Sequence, residues 1–176
     1  PNLSARGKSV IERDASVRGD FGAPVRVGRY CRVDAGATLA PSVVPASSDP
    51  TLASSSGGGD DGDDEEASPP GENERALPLV IGSHTVIGPR ATIRSVSVGS
   101  CVRVGADCVL SSRSRVHDCC VIEDGTVVPP DMIVPPFSRV RGSPGRIVGT
   151  LPECAGGEFV EDRVQDYLRF VRSLED

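Results

Sequence analysis

Few side chains in this chain have an evident capacity for chemistry. Six cysteines (Cys31, Cys101, Cys108, Cys119, Cys120, Cys154) and two histidines (His84, His117) supply all the thiols and imidazoles in 176 residues. Such groups bind zinc or copper, or form disulfides, when the chain brings several together. No CxxC pair occurs, so no zinc knuckle or dithiol redox motif is written locally. Cys101 and Cys119 are 18 residues apart, and His84 and His117 are 33 apart. Whether such separations become neighbours depends on the elements that carry them.

Those elements repeat. From Val98 an aliphatic residue returns every sixth position, through Val104, Leu110, Val116, Ile122, Val128 and Val134 to Val140. Shorter runs with the same step are Ile81, Ile87, Ile93, then Val27, Val33, Leu39, and Ile11, Val17. The fourth residue beyond a hit is often small: Cys31, Cys108, Ser114, Cys120, Thr126 and Ser138. Even spacing puts both positions on one side of an extended segment. Gly and Pro between hits forbid long strands, so a turn is expected every six residues.

A triangular coil satisfies this, with one hexad per side and 18 residues per turn. Rungs stack about 4.8 Å apart, so residues 18 apart form inward columns: Val98, Val116, Val134; then Val104, Ile122, Val140; then Leu110 and Val128. The spacing predicts roughly five coils, about 25 Å tall. The step of five from Ile93 to Val98 predicts one tightened corner, and the gap of ten from Val17 to Val27 leaves room for an excursion. In this phase Cys31, Cys108 and Cys120 are packed inward thiols. Cys101 and Cys119 stack on the outside as a candidate metal or oxidation pair. His84 and His117 point outward on different hexad positions, and Arg115 also points outward.

The chain divides into residues 1–44 and 77–148 as coils, 45–76 as an acidic disordered loop, and 149–176 as a turn and amphipathic helix. Residues 49–74 hold nine of the 25 acids and no Lys or Arg, which leaves 16 acids against 19 bases elsewhere. A segment so poor in apolar residues cannot offset its ordering entropy. The helix is expected to run about four turns after Gly156 and Gly157, with Val160, Val164, Tyr167, Leu168, Val171 and Leu174 on one stripe. No basic cluster suggests nucleic acid, and no apolar run suggests a membrane span. Trp is absent, as a narrow prism requires.

IGSHTVIGPRATIRSVSVGSCVRVGADCVL, residues 81–110, resembles the left-handed parallel β-helix family of hexapeptide-repeat proteins. The resemblance supplies the hand, against the usual right-handed crossover preference. One branch is carbonic-anhydrase-like: Arg18-Gly19-Asp20, Val25 and Val27-Gly28 match its opening motif. Its three zinc histidines correspond to Ala40, Pro89 and Arg94, none of which is a ligand, so no metal is implied. Residues 140–149, VRGSPGRIVG, resemble the exit turn of hexapeptide acyltransferases, but no histidine here carries their catalytic role.

SVRGDFGAPVRVGRYCRVDAGATLAP and HDCCVIEDGTVVPPDMIVPPFSRVRGSPGRIVGTLPEC resemble the dynactin subunit 5 family most specifically. That resemblance implies a non-catalytic subunit of the dynactin pointed-end complex, with no catalytic residue and no cofactor. Its implied partners are the related hexapeptide subunit 6, subunit 4 and the pointed-end actin-related protein. It also implies residence in the cytoplasm on the cytoskeleton, in support of dynein-driven cargo transport on microtubules. The alternative is a hexapeptide-repeat enzyme, carbonic-anhydrase-like or an acyltransferase.

Overall fold

The structure, a computed structural model, describes residues 3–19, 22–45 and 74–175. Short strands wind into a three-faced parallel β-helix closed by one helix. The first face stacks β1 (Leu3–Ala5), β4 (Val25–Val27), β9 (Leu79–Ile81), β12 (Ser97–Val98), β15 (Arg115–Val116) and β18 (Ile133–Val134). The second stacks β2 (Val10–Ile11), β5 (Arg32–Val33), β10 (Val86–Ile87), β13 (Arg103–Val104), β16 (Val121–Ile122) and β19 (Ser138–Arg141). The third stacks β3 (Ser16–Val17), β6 (Thr38–Leu39), β11 (Thr92–Ile93), β14 (Val109–Leu110) and β17 (Val127–Val128). The first face has six rungs, so the expectation of five coils is corrected. The missed coil carries Ala5 where the rung below carries Val27, and Ala escapes a search for Val, Ile and Leu.

The registers set the core. Val27, Ile81, Val98, Val116 and Val134 form one column. Val33, Ile87, Val104, Ile122 and Val140 form the second, and Leu39, Ile93, Leu110 and Val128 the third. All fourteen of these side chains are at most 2% exposed. Burying an aliphatic side chain contributes about 1.5–3 kcal/mol, so these columns dominate the stability of a fold with few aromatic residues.

The small inward positions do more than fill space. Cys31, Cys108, Ser114, Cys120, Thr126 and Ser138 are all buried. Three of the thiols donate to a carbonyl near the next rung down: Cys31 Sγ to Gly82 O (3.0 Å), Cys108 Sγ to Glu123 O (3.0 Å) and Cys120 Sγ to Pro135 O (3.1 Å). Thr85 Oγ1 does the same toward Gly99 O at 2.9 Å. Corner carbonyls that strand pairing leaves without a partner are thereby satisfied.

Two features depart from the regular coil. Between Leu39 and Leu79 the chain leaves as β7 (Ser42–Pro45) and returns as β8 (Glu74–Leu77), an antiparallel pair. Residues 46–73, the bulk of the acidic stretch, lie outside the described residues, as does Asp20. At the lower end β20 (Arg146–Thr150) turns back antiparallel on β19, and the helix α1 (Ala155–Glu175) follows. It has 21 residues, a span of about 32 Å at ~1.5 Å per residue, so the expectation of four turns was too short.

Candidate functional site

The corner joining the first face to the second carries most of the prism's side-chain architecture. Its first position is the column Arg6, Gly28, Gly82, Gly99, His117. Each of these donates its N–H to a first-face carbonyl of the rung below, at 2.8–3.0 Å. The middle position is Arg29, Ser83, Ser100, Asp118. The first three N–H groups each bond the side chain beneath: Arg29 to Ser83 Oγ (3.1 Å), Ser83 to Ser100 Oγ (3.3 Å) and Ser100 to Asp118 Oδ1 (2.6 Å). The third position is Lys8, Tyr30, His84, Cys101, Cys119, Phe137, every one with positive φ between 54° and 65°. The left-handed backbone needed to turn the corner aligns these six side chains along one edge.

Helix α1 lies on that edge. Gly156 comes so near the Cys119 thiol that an added Cβ would stand 3.0 Å from its sulfur. Higher up, Tyr30 stacks on His84 (centroids 5.3 Å, 12° between planes), and Tyr167 meets Tyr30 edge-on at 5.7 Å. Lys8 Nζ bonds the Tyr30 hydroxyl at 3.0 Å. Arg103 stands over the Phe159 ring and reaches Asp162 at 3.5 Å. The inner helix face therefore includes Phe159, Arg163 and Tyr167. Leu168 and Leu174, assigned to the buried stripe from sequence, are 43% and 70% exposed. Val160, Val164, Tyr167 and Val171 of that stripe are half-buried, and the polar and aromatic edge beneath adds Phe159 and Arg163 to the inner face in place of the two leucines.

His84 likewise departs from the expectation of an outward surface residue. It is half-buried below Tyr30, and burial lowers its pKa. His117 is exposed. Cys101 and Cys119 do neighbour each other on this edge, and burial, then the adjacent Cys119, pushes the Cys101 thiol up to about 11. Burial also raises Cys119, Cys31, Cys108 and Cys120. Protonated thiols suit the S–H donor role seen in the core and are poor nucleophiles.

Other positions singled out by sequence are scattered. Ala40 and Arg94 follow the paired strands β6 and β11 at the exit of the third face, whereas Pro89 sits at the previous corner, accepting from Asp107 N–H at 3.0 Å. Among the described residues no three His, Cys, Asp or Glu side chains gather to hold a metal ion. No helix among them is long and apolar enough to cross a membrane. A cleft of about 420 Å3 opens between α1 and the first two rungs, with Tyr30 and Tyr167 in its walls. A second groove, of about 690 Å3, follows the glycine column on the other side of the same corner. Sequence reading missed both, since glycine spacing signals a turn and not what lies beside it.

Comparison with known proteins places this architecture. A hexapeptide transferase family protein from Anaplasma phagocytophilum shares it at TM-score 0.56 and 12% identity, covering 97% of this chain and 92% of that one. A hexapeptide-repeat acetyltransferase from Vibrio cholerae O1 biovar eltor, solved with acetyl coenzyme A, has TM-score 0.54 and 16% identity, covering 86% and 72%. The shared fold is the left-handed parallel β-helix of hexapeptide repeats. The bifunctional protein GlmU of Ruthia magnifica subsp. Calyptogena magnifica is 31% identical over 83 residues, 47% of this chain. The chain spans only 15% of that relative's length. These likenesses correct the expectation that the chain is not an enzyme: the fold they point to is an acyltransferase enzyme fold. A family model described as Dynactin subunit 5 matches residues 72–174, more than half of the chain, from the return of the insertion through the lower coils to the helix. With that match, the chain belongs to the dynactin subunit 5 family of hexapeptide-repeat proteins.

Proposed function

We propose that this chain is a subunit of a dynactin pointed-end assembly and supports dynein-driven cargo transport on microtubules in the cytoplasm. The family match over residues 72–174 carries the reading. It includes the lower rungs, the reversed strand β20 and helix α1 together. A coil of stacked rungs contacts only its neighbours, so its flat faces and ends are free for other chains. Ile147 and Val148 on β20 are 47% and 56% exposed, and such an apolar edge strand favours a covering partner. The partners of this reading are the related hexapeptide subunit 6, subunit 4 and the pointed-end actin-related protein. Affinity capture of the tagged chain from native cells, followed by mass spectrometry, tests it. Recovery of those three proteins in fixed ratio is expected; a folded, expressed chain that captures none of them overturns the reading.

A second reading, acyl transfer, is favoured by the GlmU similarity across 83 residues. Calorimetry with acetyl coenzyme A, alongside the solution mass of the purified chain, addresses it. Saturable binding by a homo-oligomer would support that reading, and heat no greater than dilution would exclude it.

A further inference from the structure

The groove on the first-face side of the corner belongs to neither reading. Its floor is the glycine column. A Cβ on Gly28 would stand 2.6 Å from the Gly82 carbonyl carbon, and one on Gly82 would meet the backbone of Gly99 and Ser100. At these two rungs the backbone leaves no room for a side chain, and that absence leaves a trench of about 690 Å3 along the surface.

The trench is electrostatically one-sided. Arg6 heads the glycine column, and Arg26 projects outward from β4 between Ser4 and Val80. Both arginines line the trench, and among the described residues no carboxylate does. Among the described residues neither has an acid partner. Several outward arginines elsewhere on the prism do reach acids closely, as Arg32 does Glu12 (2.7 Å), Arg90 does Asp107 (2.6 Å) and Arg113 does Asp131 (2.6 Å). The carboxylate next in the corner, Asp118, is engaged by the Ser100 N–H.

The neutral lining adds direction. Ser83 Oγ and Ser100 Oγ each accept a backbone N–H within the corner ladder. Their hydroxyl hydrogens are left to donate, and hydroxyl rotors turn to suit a partner. Val80, outward on β9 next to Arg26, is 41% exposed. Two guanidinium forks and two hydroxyl donors exceed what the two oxygens of a carboxylate use, and they match a tetrahedral oxyanion.

We propose that this trench binds a phosphate monoester bearing an apolar group. Arg6 and Arg26 hold the phosphate oxygens, Ser83 and Ser100 donate to them, and Val80 takes the apolar group. The chemistry is common to a soluble organic phosphate and to a lipid headgroup. The proposal does not depend on membership of a dynactin assembly, since the site lies within one chain.

The test uses the full chain with phenyl phosphate, inorganic phosphate, and phosphatidylcholine vesicles with or without phosphatidic acid. Calorimetry should show one phenyl phosphate per chain, bound more tightly than inorganic phosphate. Arg6→Gln and Arg26→Gln should each weaken it about tenfold, the loss of one charge-assisted contact. Arg115→Gln, three rungs along the same face, should leave it unchanged. All three side chains are exposed, and circular dichroism verifies that the variants fold. Vesicle recruitment that needs phosphatidic acid, Arg6 and Arg26 identifies a headgroup as the source; phenyl phosphate binding without recruitment identifies a soluble phosphate. Equal binding by parent, Arg6→Gln and Arg26→Gln overturns the proposal, as does a phenyl phosphate affinity no better than that of inorganic phosphate.

Discussion

Between the first and second faces, the lower rungs turn the corner in six residues, and hydrogen bonds link each rung to the next. The corner between the third and first faces breaks that pattern twice. It loses a residue between Ile93 and Val98, and one rung above it the chain departs into the β7–β8 pair. The third residue of a regular corner donates its N–H to the middle residue of the rung above, as Cys119 does to Ser100 O (2.9 Å) and Asp131 to Ser112 O (3.3 Å). Arg113 occupies that position below the shortened turn, where the carbonyl is missing. Its N–H goes instead to the hydroxyl of Ser42, at 3.1 Å, at the root of the excursion. Ser42 is fully buried. The two irregularities compensate each other: the deletion opens a slot, and the inserted pair supplies the acceptor that fills it. Ser95, in the shortened turn, is buried with a hydroxyl that finds no partner among the described residues, so the repair is partial.

The comparison can be broken at several strengths. The largest effect is expected at Val116, which both corners depend on, since it is 2% exposed between Val98 and Val134. Val116→Asp puts a carboxylate among aliphatic columns and should cost upwards of about 4 kcal/mol. Chemical denaturation read by circular dichroism would show loss of the cooperative transition; a parent-like midpoint would mean the inward column is misassigned. Gly82→Ala attacks the regular corner alone. Its Cβ meets the backbone of Gly99 and Ser100 in the next rung, a clash that moving the Ser100 hydroxyl alone would not relieve, and about 2–3 kcal/mol should be lost. An unchanged urea midpoint would show that rungs can part there without cost.

Ser42→Ala attacks the repaired corner. Removing the hydroxyl leaves the Arg113 N–H without its acceptor, at a cost of about 1–2 kcal/mol. Hydrogen exchange offers the sharper reading, because protection should fall at Arg113 and persist at Cys119. Equal protection at Arg113 before and after the change would refute the compensating role of Ser42. The smallest effect belongs to Arg115→Asp, outward on β15. It should stay within about 0.5 kcal/mol in the purified chain, so a large loss of stability there would reverse the inward and outward assignments of that strand.

How much of this was legible depends on the range of each interaction. The six-residue step exposed the columns because each aliphatic residue is selected by its own rung and by the same rung geometry. Ala5 was illegible since a small residue at the end of the stack satisfies the position without announcing it. The five-residue step from Ile93 to Val98 advertised a tightened corner. It could not advertise Ser42, 71 residues from Arg113, because a serine in a turn looks the same whatever it accepts. The helix was legible as a helix, from the spacing of its apolar residues. Its inner face was legible in part, through Val160, Val164, Tyr167 and Val171, but Phe159 and Arg163 were not, because the edge they cover comes together only through the stacking of distant rungs. The phosphate trench was hidden for the same reason: Arg6 and Arg26 are separated by 20 positions, and only parallel pairing of β1 with β4 makes them walls of one groove.

Taken alone, the sequence determined the period, the three columns and the absence of room for large aromatic side chains in the core. Those are consequences of short-range stereochemistry, in which alternation along a strand and a turn every six residues decide which side chains point inward. The tertiary structure alone decided which corner the helix covers, which hydroxyl repairs the shortened turn, and which arginines stand without acids. These depend on contacts across rungs, where one atom's partner is set by the position of a whole coil and not by its neighbours in the chain.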